Sequence, residues 1–249
     1  MTPDWPEPGR DQSPEDVDLE RAWLGVAAEI WRRRPSLAER LAGRALRSAG
    51  LARALVTTSS LLPGWIIASA VVLTAGVFAT LGTGAPFVAL LAPAVAAAGV
   101  AYAYGPGVDP AWELSQSMAV SDRMVLLVRV LAVFALNGVL GLAASAASAT
   151  AASGTAASGT AVAVTFGWLI PMTAVSALAL AAATLTRSAN AGVAAGLAAW
   201  AITVLSVHAA SGQLTAVVAS SALVLPYLIV AAACGAVAWF ATRIPRGTS

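Results

Sequence analysis

The acidic residues of this chain all lie in its first half, and this placement constrains the fold more than any other feature. Asp122 is the last of them, and between Arg123 and Arg243 the charged side chains are Arg129 and Arg187. A soluble domain of that length keeps many charged side chains on its surface, in contact with water. A domain that faces lipid does not. The sequence therefore predicts a polytopic membrane protein with a charged N-terminal segment outside the bilayer.

The composition of the whole chain agrees with this prediction and excludes several kinds of site. The chain is 59% hydrophobic and 10% charged, far from the average of soluble domains. Its net charge of +2 does not indicate a nucleic-acid partner. Cys234 and His208 are the single cysteine and histidine, so the chain can build neither a disulfide nor a Cys/His zinc site. Since the hydrophobic runs also lack paired carboxylates and catalytic triads, we expect no cofactor and no enzymatic activity.

Six hydrophobic runs follow the charged segment, each close to the roughly 20 residues that a membrane-spanning helix needs. They cover residues 64–82, 85–104, 124–147, 163–184, 191–210 and 215–241. Connections that carry arginine alternate with connections that carry no charge, and the positive-inside rule then places both termini in the cytoplasm. The sequence thus predicts an all-α fold in which residues 56–249 form six transmembrane helices and a short cytoplasmic tail.

Residues 1–55 precede the first run and are predicted to contain cytoplasmic or interfacial amphipathic helices. The segment Ser36-Leu37-Ala38-Glu39 has the pattern of a capping box, which starts a helix. The polar face of that helix would carry Arg40, Arg44 and Arg47. Basic residues on an amphipathic helix favour the surface of an anionic inner leaflet. The alternative, an ordinary solvated helix of a cytosolic domain, stays open.

Two polar side chains inside the predicted spans are candidate functional residues. Arg129, in the third run, either snorkels to the cytoplasmic interface, pairs with Glu113 or Asp122, or contacts a substrate. Asn137 lies in the middle of the same run. Its amide needs a hydrogen-bond partner, which either a neighbouring helix or a substrate could supply.

Small residues, prolines and aromatic residues in the runs carry expectations about packing. Gly192 and Gly196 form a GxxxG pair, a pattern of close helix packing that acts either within the subunit or across a dimer. Pro93, Pro171 and Pro226 lie within the runs and should kink their helices. Aromatic residues near the predicted span ends are typical of a membrane interface, and this group comprises Trp65, Tyr104, Trp168, Trp200 and Trp239.

The connection between the second and third runs, residues 105–123, has the most specific pattern. Gly105-Pro106-Gly107 ends the second run, and Asp109 followed by Pro110 is suited to start a helix. That short helix, over residues 110–118, would carry Trp112, Glu113, Leu114 and Met118. Trp112 and Leu114 are costly to expose to water, so we expect lipid or protein to cover them.

This loop and the six-run architecture resemble the permease subunits of ABC-2 type exporters, in particular small actinobacterial permease-like membrane proteins. Glu113-Leu114, residues 117–121 and Leu126-Leu127-Val128-Arg129 fit the family's loop pattern, although Ala119 or Val120 stands where the family has proline. The resemblance implies a bacterial plasma membrane, a separate ABC ATPase subunit, and a second permease subunit in a homodimer or heterodimer. It also implies a coupling helix that contacts the ATPase through Asp109, Pro110, Trp112, Glu113, Leu114 and Met118.

Other functions stay open beside that of an exporter permease. The chain has no lysine and cannot itself supply the P-loop of the ATPase. One alternative is a membrane-embedded regulator, such as an anti-sigma-like protein, in which residues 1–55 capture a cytosolic partner. Another is a scaffold subunit of a membrane complex, since spans with so few polar groups suit a lipidic substrate or none. A neighbouring gene for a Walker-type ATPase or for a sigma factor would separate these hypotheses.

Overall fold

The computed structural model describes residues 61–104, 122–152 and 166–242, together with helical positions at 23–25, 40 and 43–44. These residues form helices and turns and no strand, so the predicted all-α class is confirmed. The helices are α1 (Leu61–Thr83), α2 (Phe87–Tyr102), α3 (Asp122–Ala152), α4 (Leu169–Thr186), α5 (Ala189–Ser211), the single turn α6 (Ala216–Ala219) and α7 (Val224–Ala241). A 3-10 turn at Ser221–Leu223 joins α6 to α7.

Five of the described helical segments are long and apolar enough to cross a membrane. They are Gly64–Thr83, Arg123–Ala149, Leu169–Thr186, Ala189–Ser211 and Ser221–Ala241. The sixth apolar helix, α2, has only 16 residues. At 1.5 Å per residue it is about 24 Å long, shorter than the roughly 30 Å of a bilayer core. The count of six crossings therefore stays a prediction, while a membrane protein with several spans is supported.

Helix α2 lies at the centre of the bundle and packs against α1, α3, α4 and α5. Its buried face is made largely of alanine, which allows its neighbours to approach closely. Gly192 of α5 lies against Ala101 of α2 and against Ala179 and Ala183 of α4. Gly196, one turn further, lies against the same two helices. The GxxxG pair therefore packs within the subunit, which decides between the two alternatives that the sequence left open.

Several aromatic residues that were predicted to lie at a membrane interface are instead buried inside the bundle. Trp200 is in the middle of α5 and is only 5% exposed, and Trp168 and Tyr104 are also buried. Hydropathy cannot separate these positions, because both the lipid and the interior of a membrane protein are apolar. Trp239, in the last turn of α7, is exposed.

Some predicted helix boundaries and proline kinks are wrong. Pro171 and Pro226 lie in the first turns of α4 and α7, where the N–H that proline lacks would have no helical partner. Of the three prolines only Pro93 lies deep inside its helix. Helix α3 continues to Ala152, past the predicted end of its span at residue 147.

The last predicted span, residues 215–241, is divided in two. Ser220 has an extended backbone, with ψ 118°, and separates α6 from the 3-10 turn that precedes α7. The break lets Val217 and Val218 turn into the core. The hydroxyl of Tyr227 donates a hydrogen bond of 3.3 Å to the Val217 carbonyl oxygen, which gives this inserted backbone a partner.

Side-chain contacts place five helix ends together at one end of the bundle. Tyr104, just after α2, packs with Leu126 of the first turns of α3 and with Ala183 near the end of α4. The hydroxyl of Tyr102 lies 3.4 Å from Oδ1 of Asn190, in the first turn of α5. Since Arg123 and Arg187 also lie at these helix ends, we call this the arginine end. The end of α7 joins it through Arg123, as described below.

The opposite end of the bundle is formed by turns without arginine. Gly84 and Gly212, with φ of 75° and 68°, end α1 and α5 in the left-handed conformation that glycine adopts without strain. Gly167, just before α4, contacts the backbone carbonyl of Val218. Trp168 packs on Gly141 in the second half of α3. The ends of α3 and α5 and the beginnings of α4 and α7 therefore share this end.

Candidate functional site at the arginine end

The predicted coupling residues Asp109, Pro110, Trp112, Glu113, Leu114 and Met118 lie outside the described residues, and so does Arg47. Arg40 and Arg44 are helical and exposed. Their attraction to anionic lipid stays a prediction. The structure does describe the two helices from which the predicted coupling loop departs, and these determine where the loop leaves the bundle.

The two ends of the loop are fixed by a small apolar cluster. Tyr104 precedes the loop and Leu126 follows it, and both are buried against Ala183 of α4. Val130, one turn further along α3, packs onto the same cluster. Because the cluster joins α2, α3 and α4, residues 105–121 leave the bundle between helices that are held together at the arginine end.

Arg123 joins the beginning of α3 to the end of α7. Its guanidinium Nη2 donates a hydrogen bond of 3.2 Å to the backbone carbonyl of Trp239, and its Nε lies 3.4 Å from Oγ1 of Thr242. The guanidinium carbon also lies 4.4 Å from the centre of the Trp239 ring. The last carbonyls of a helix lack helical partners and carry partial negative charge. A cation at this position therefore stabilises the end of α7.

Arg187 occupies the short turn between α4 and α5. Its backbone is left-handed, with φ 56° and ψ 30°, and its N–H bonds to the Ala183 carbonyl to end α4. This conformation is uncommon for a residue other than glycine. Ser188 follows directly, and its hydroxyl accepts a hydrogen bond of 3.4 Å from the Ala191 N–H. The turn thus ends one helix, caps the next, and presents the exposed Arg187 side chain.

Arg129 lies two turns into α3 and is buried, with 8% of its side chain exposed. The sequence left open whether this arginine reaches the interface, pairs with a carboxylate or contacts a substrate. A buried side chain fits poorly with snorkelling, in which the guanidinium reaches interfacial water. Which of the three roles Arg129 has stays a prediction.

Asn137 bonds to its own helix and not to a neighbouring one. Its Nδ2 donates a hydrogen bond of 2.8 Å to the carbonyl of Val133, one turn earlier in α3. Its Oδ1 is buried and has no hydrogen-bond partner among the described residues. Among the described residues the amide thus makes one hydrogen bond, to its own helix, and no interhelical one.

Two further polar groups lie along the contact between α3 and α4. Trp168 packs on Gly141, which is one turn beyond Asn137, and Met172 lies next to Gly138. Trp168 Nε1 and Ser176 Oγ are both buried without a hydrogen-bond partner among the residues that the structure describes. Trp168, Met172 and Ser176 share a face by helical spacing, and buried polar groups without a hydrogen-bond partner are expensive in apolar surroundings.

Within the described ranges no group of three or more His, Cys, Asp or Glu side chains could hold a metal ion. Comparison of the chain with protein-family models, with curated proteins and with solved structures finds no match. The resemblance to ABC-2 permeases therefore rests on the loop pattern and on the architecture, and it stays a prediction.

Proposed function

We propose that this chain is the permease subunit of an ABC-type exporter in a bacterial plasma membrane. It would act with a separate ATPase subunit and with a second permease subunit, and both of its termini would be cytoplasmic. The observation that carries the proposal is the position of the two residues that flank the predicted coupling loop. These residues, Tyr104 and Asp122, lie at the arginine end of the bundle, where a cytoplasmic ATPase could reach the loop.

The arrangement of charges supports this orientation. The described arginines of the bundle lie at or near one end, and the described turns at the other end contain neither arginine nor acidic residues. The positive-inside rule assigns the arginine end to the cytoplasm. The ends of α1 and α7 that lead to the termini would lie there too, since Trp65 in the first turns of α1 lies 6.3 Å, ring to ring, from Tyr102 at the arginine end.

The short helix α2 is compatible with six crossings. It begins after the turn at Gly84 and ends at the arginine end, so it connects the two ends of the bundle. Four other helices pack around it. A helix that is enclosed by protein does not have to match the thickness of the bilayer along its length, whereas a lipid-facing helix adapts by tilting or by thinning the bilayer.

In the proposed mechanism the ATPase subunits move the loop and the loop moves α2 and α3. Closure of nucleotide-bound ATPases would displace Trp112 and its neighbours. The apolar cluster of Tyr104, Leu126 and Ala183 would pass this displacement into the bundle. The close alanine–glycine packing of α2, α4 and α5 favours movement of these helices as a unit, because packed interfaces shift between discrete arrangements and do not deform continuously.

A regulator is the second candidate, and one observation favours it. Trp23 and Leu24 are helical and are 70% and 64% exposed. Large exposed apolar side chains mark interaction surfaces, and these two belong to the segment that would capture a cytosolic partner of an anti-sigma-like protein.

Two tryptophan substitutions separate the candidates. The full-length chain is co-expressed with the ATPase encoded nearest to its gene, purified in lipid nanodiscs, and assayed for bound ATPase and for ATP hydrolysis. In an exporter, Trp112→Ala removes an interface anchor, and truncation of such an anchor often costs more than about 2 kcal/mol of binding energy. Trp23→Ala is the matched control, because it removes a tryptophan from the other cytoplasmic segment.

The proposal predicts loss of ATPase binding with Trp112→Ala and retention with Trp23→Ala. Retention in both variants would show that the loop is not the coupling element. If the wild-type chain binds no ATPase but captures a sigma factor in a manner that depends on Trp23, the regulator is correct.

A further inference from the structure

Helices α3 and α7 belong to different parts of the bundle. Helix α3 packs mainly against α1 and α2, whereas α7 packs mainly against α4. Most of the surface of α7 is exposed, including Leu225, Leu228 and Ile229 near its beginning. The contacts of the last turn of α7 with α3 therefore join it to a helix other than its main packing partner, α4.

Arg123 holds this last turn from the first turn of α3. The Trp239 carbonyl accepts hydrogen bonds from Arg123 Nη2 at 3.2 Å and from Thr242 Oγ1 at 3.0 Å. Arg123 Nε approaches the Thr242 hydroxyl, and the guanidinium carbon lies over the Trp239 ring. The Arg123 side chain thus contacts the backbone carbonyl and the ring of Trp239 and the hydroxyl of Thr242, all at the end of α7. The planar, many-donor guanidinium is suited to this combination, whereas a lysine ammonium is a point charge without a face to stack.

We propose that Arg123 is a positioning residue that ties the C-terminal end of α7 to the base of loop 105–121. Asp122, the first residue of α3, follows this loop directly, and residues 243–249 follow α7 directly. A displacement of the beginning of α3 therefore carries the end of α7 with it. The part that this link plays in transport rests on the proposed function. The link between α3 and α7 itself does not require an ATPase.

The link can be separated from a general effect of positive charge at the arginine end. Arg187 lies at the same end, in the turn between α4 and α5, and its side chain is exposed. Arg187→Gln removes one positive charge without touching the contact of α3 with α7. Arg123→Gln removes the same charge together with the ring contact and the forked hydrogen bonding. The two variants form a matched pair.

The test measures distances between helices by pulsed electron paramagnetic resonance on the full-length protein in lipid nanodiscs. Cys234 is first replaced by serine, so that spin labels attach only at introduced cysteines. One pair of labels, at the exposed positions Leu131 and Val237, reports on α3 and α7. A second pair, at Leu131 and the exposed Leu197, reports on α3 and α5.

We expect Arg123→Gln to replace the narrow α3–α7 distance distribution with a broad one and to leave the α3–α5 distribution narrow. Arg123→Lys should give an intermediate width, because it keeps the cation but loses the stacking plane. Trp239→Leu removes the ring that Arg123 contacts and should also broaden the α3–α7 distribution. If Arg123→Gln does not fold, this variant tests the proposal in its place.

Three outcomes would overturn the proposal. The α3–α7 distance is unchanged in Arg123→Gln, or Arg187→Gln broadens it equally, or both distances broaden together and indicate a general loosening of the bundle. Failure of the proposed function would look different. In that case the α3–α7 distance still depends on Arg123 while no ATPase binds the wild-type chain.

Discussion

The indole Nε1 of Trp200 donates a hydrogen bond of 2.8 Å to the backbone carbonyl of Leu90, and so connects α5 to α2 across the core. Pro93 lies three residues beyond Leu90 and has no N–H to offer the helix. Its ring also crowds the preceding turn and weakens helical hydrogen bonding there. Because Pro93 cannot donate to the Ala89 carbonyl, the indole bonds to α2 in the turn that lacks this helical hydrogen bond.

Trp200→Phe should lower the thermal stability of the protein. The substitution removes the donor and leaves a buried carbonyl without this partner, which costs about 1–3 kcal/mol. Trp168→Phe is the matched control, because Trp168 is also buried but its Nε1 has no hydrogen-bond partner among the described residues. Melting temperatures measured in the same lipid nanodiscs should fall further for Trp200→Phe. An equal fall for both variants would show that ring volume, and not the hydrogen bond, determines the effect.

Gly192→Ala should destabilise the subunit without changing its oligomeric state. A methyl group there would lie 2.6 Å from the Ala179 carbonyl oxygen and 2.7 Å from the Ala183 methyl. Overpacking of this kind costs about 1–3 kcal/mol. Gly235→Ala in α7 is the control, since its added methyl meets no atom within 4 Å. Melting curves and the mass of the detergent-solubilised particle are measured together. A change of mass in Gly192→Ala would place this face in an interface between subunits.

Asn137→Leu should leave thermal stability unchanged or raise it. The amide gives its hydrogen bond to its own helix, and its Oδ1 has no partner within the described part of the chain. Replacing a poorly satisfied buried polar group by an apolar one of similar shape is nearly neutral or favourable. Asn137→Asp should lower stability strongly, because a charge at the centre of a membrane helix costs about 2.5–3.5 kcal/mol. A marked loss of stability with leucine would mean that the amide oxygen has a structural partner after all.

The orientation of the bundle can be tested with two cysteines in a Cys234→Ser background. Ser153→Cys follows α3 beyond the opposite end of the bundle, and Ser249→Cys is at the C-terminus. With six crossings and the arginine end in the cytoplasm, an impermeant maleimide added to intact cells should label position 153 and not position 249. Labelling of position 249 from outside, or of position 153 only after lysis, would contradict this topology.

The predicted runs agree with the observed helices where contact with lipid excludes charged side chains. A span cannot carry many charges, so α1, α3 and α5 could be located within a few residues from charge and hydropathy. The break at Ser220 could not be located in this way. Residues 215–223 are as apolar as a span, and they leave the helical path because Val217 and Val218 pack into the core beside Gly167.

The contacts of the site were still harder to predict. Arg123 and Trp239 are 116 residues apart, and no periodicity connects them. The available signal was positional, since both lie at ends of runs that the alternation of charges assigns to the same side. Sequence reasoning interpreted Trp239 as an interfacial aromatic residue and assigned no role to Arg123. The clue was that the last carbonyls of α7 carry partial negative charge, which favours a nearby cation, and that Arg123 lies in the first turn of α3.

The place of Trp200 in the chain has a consequence for biosynthesis. Helix α2 leaves the ribosome long before residue 200 has been made, and its partner for the Leu90 carbonyl is 110 residues away. Within the proposed six-span topology, α2 therefore enters the membrane before the side chain that binds its Leu90 carbonyl has been made. A nascent chain that stops before α5 should be held poorly there, and so be exposed to quality-control proteolysis until its synthesis is complete.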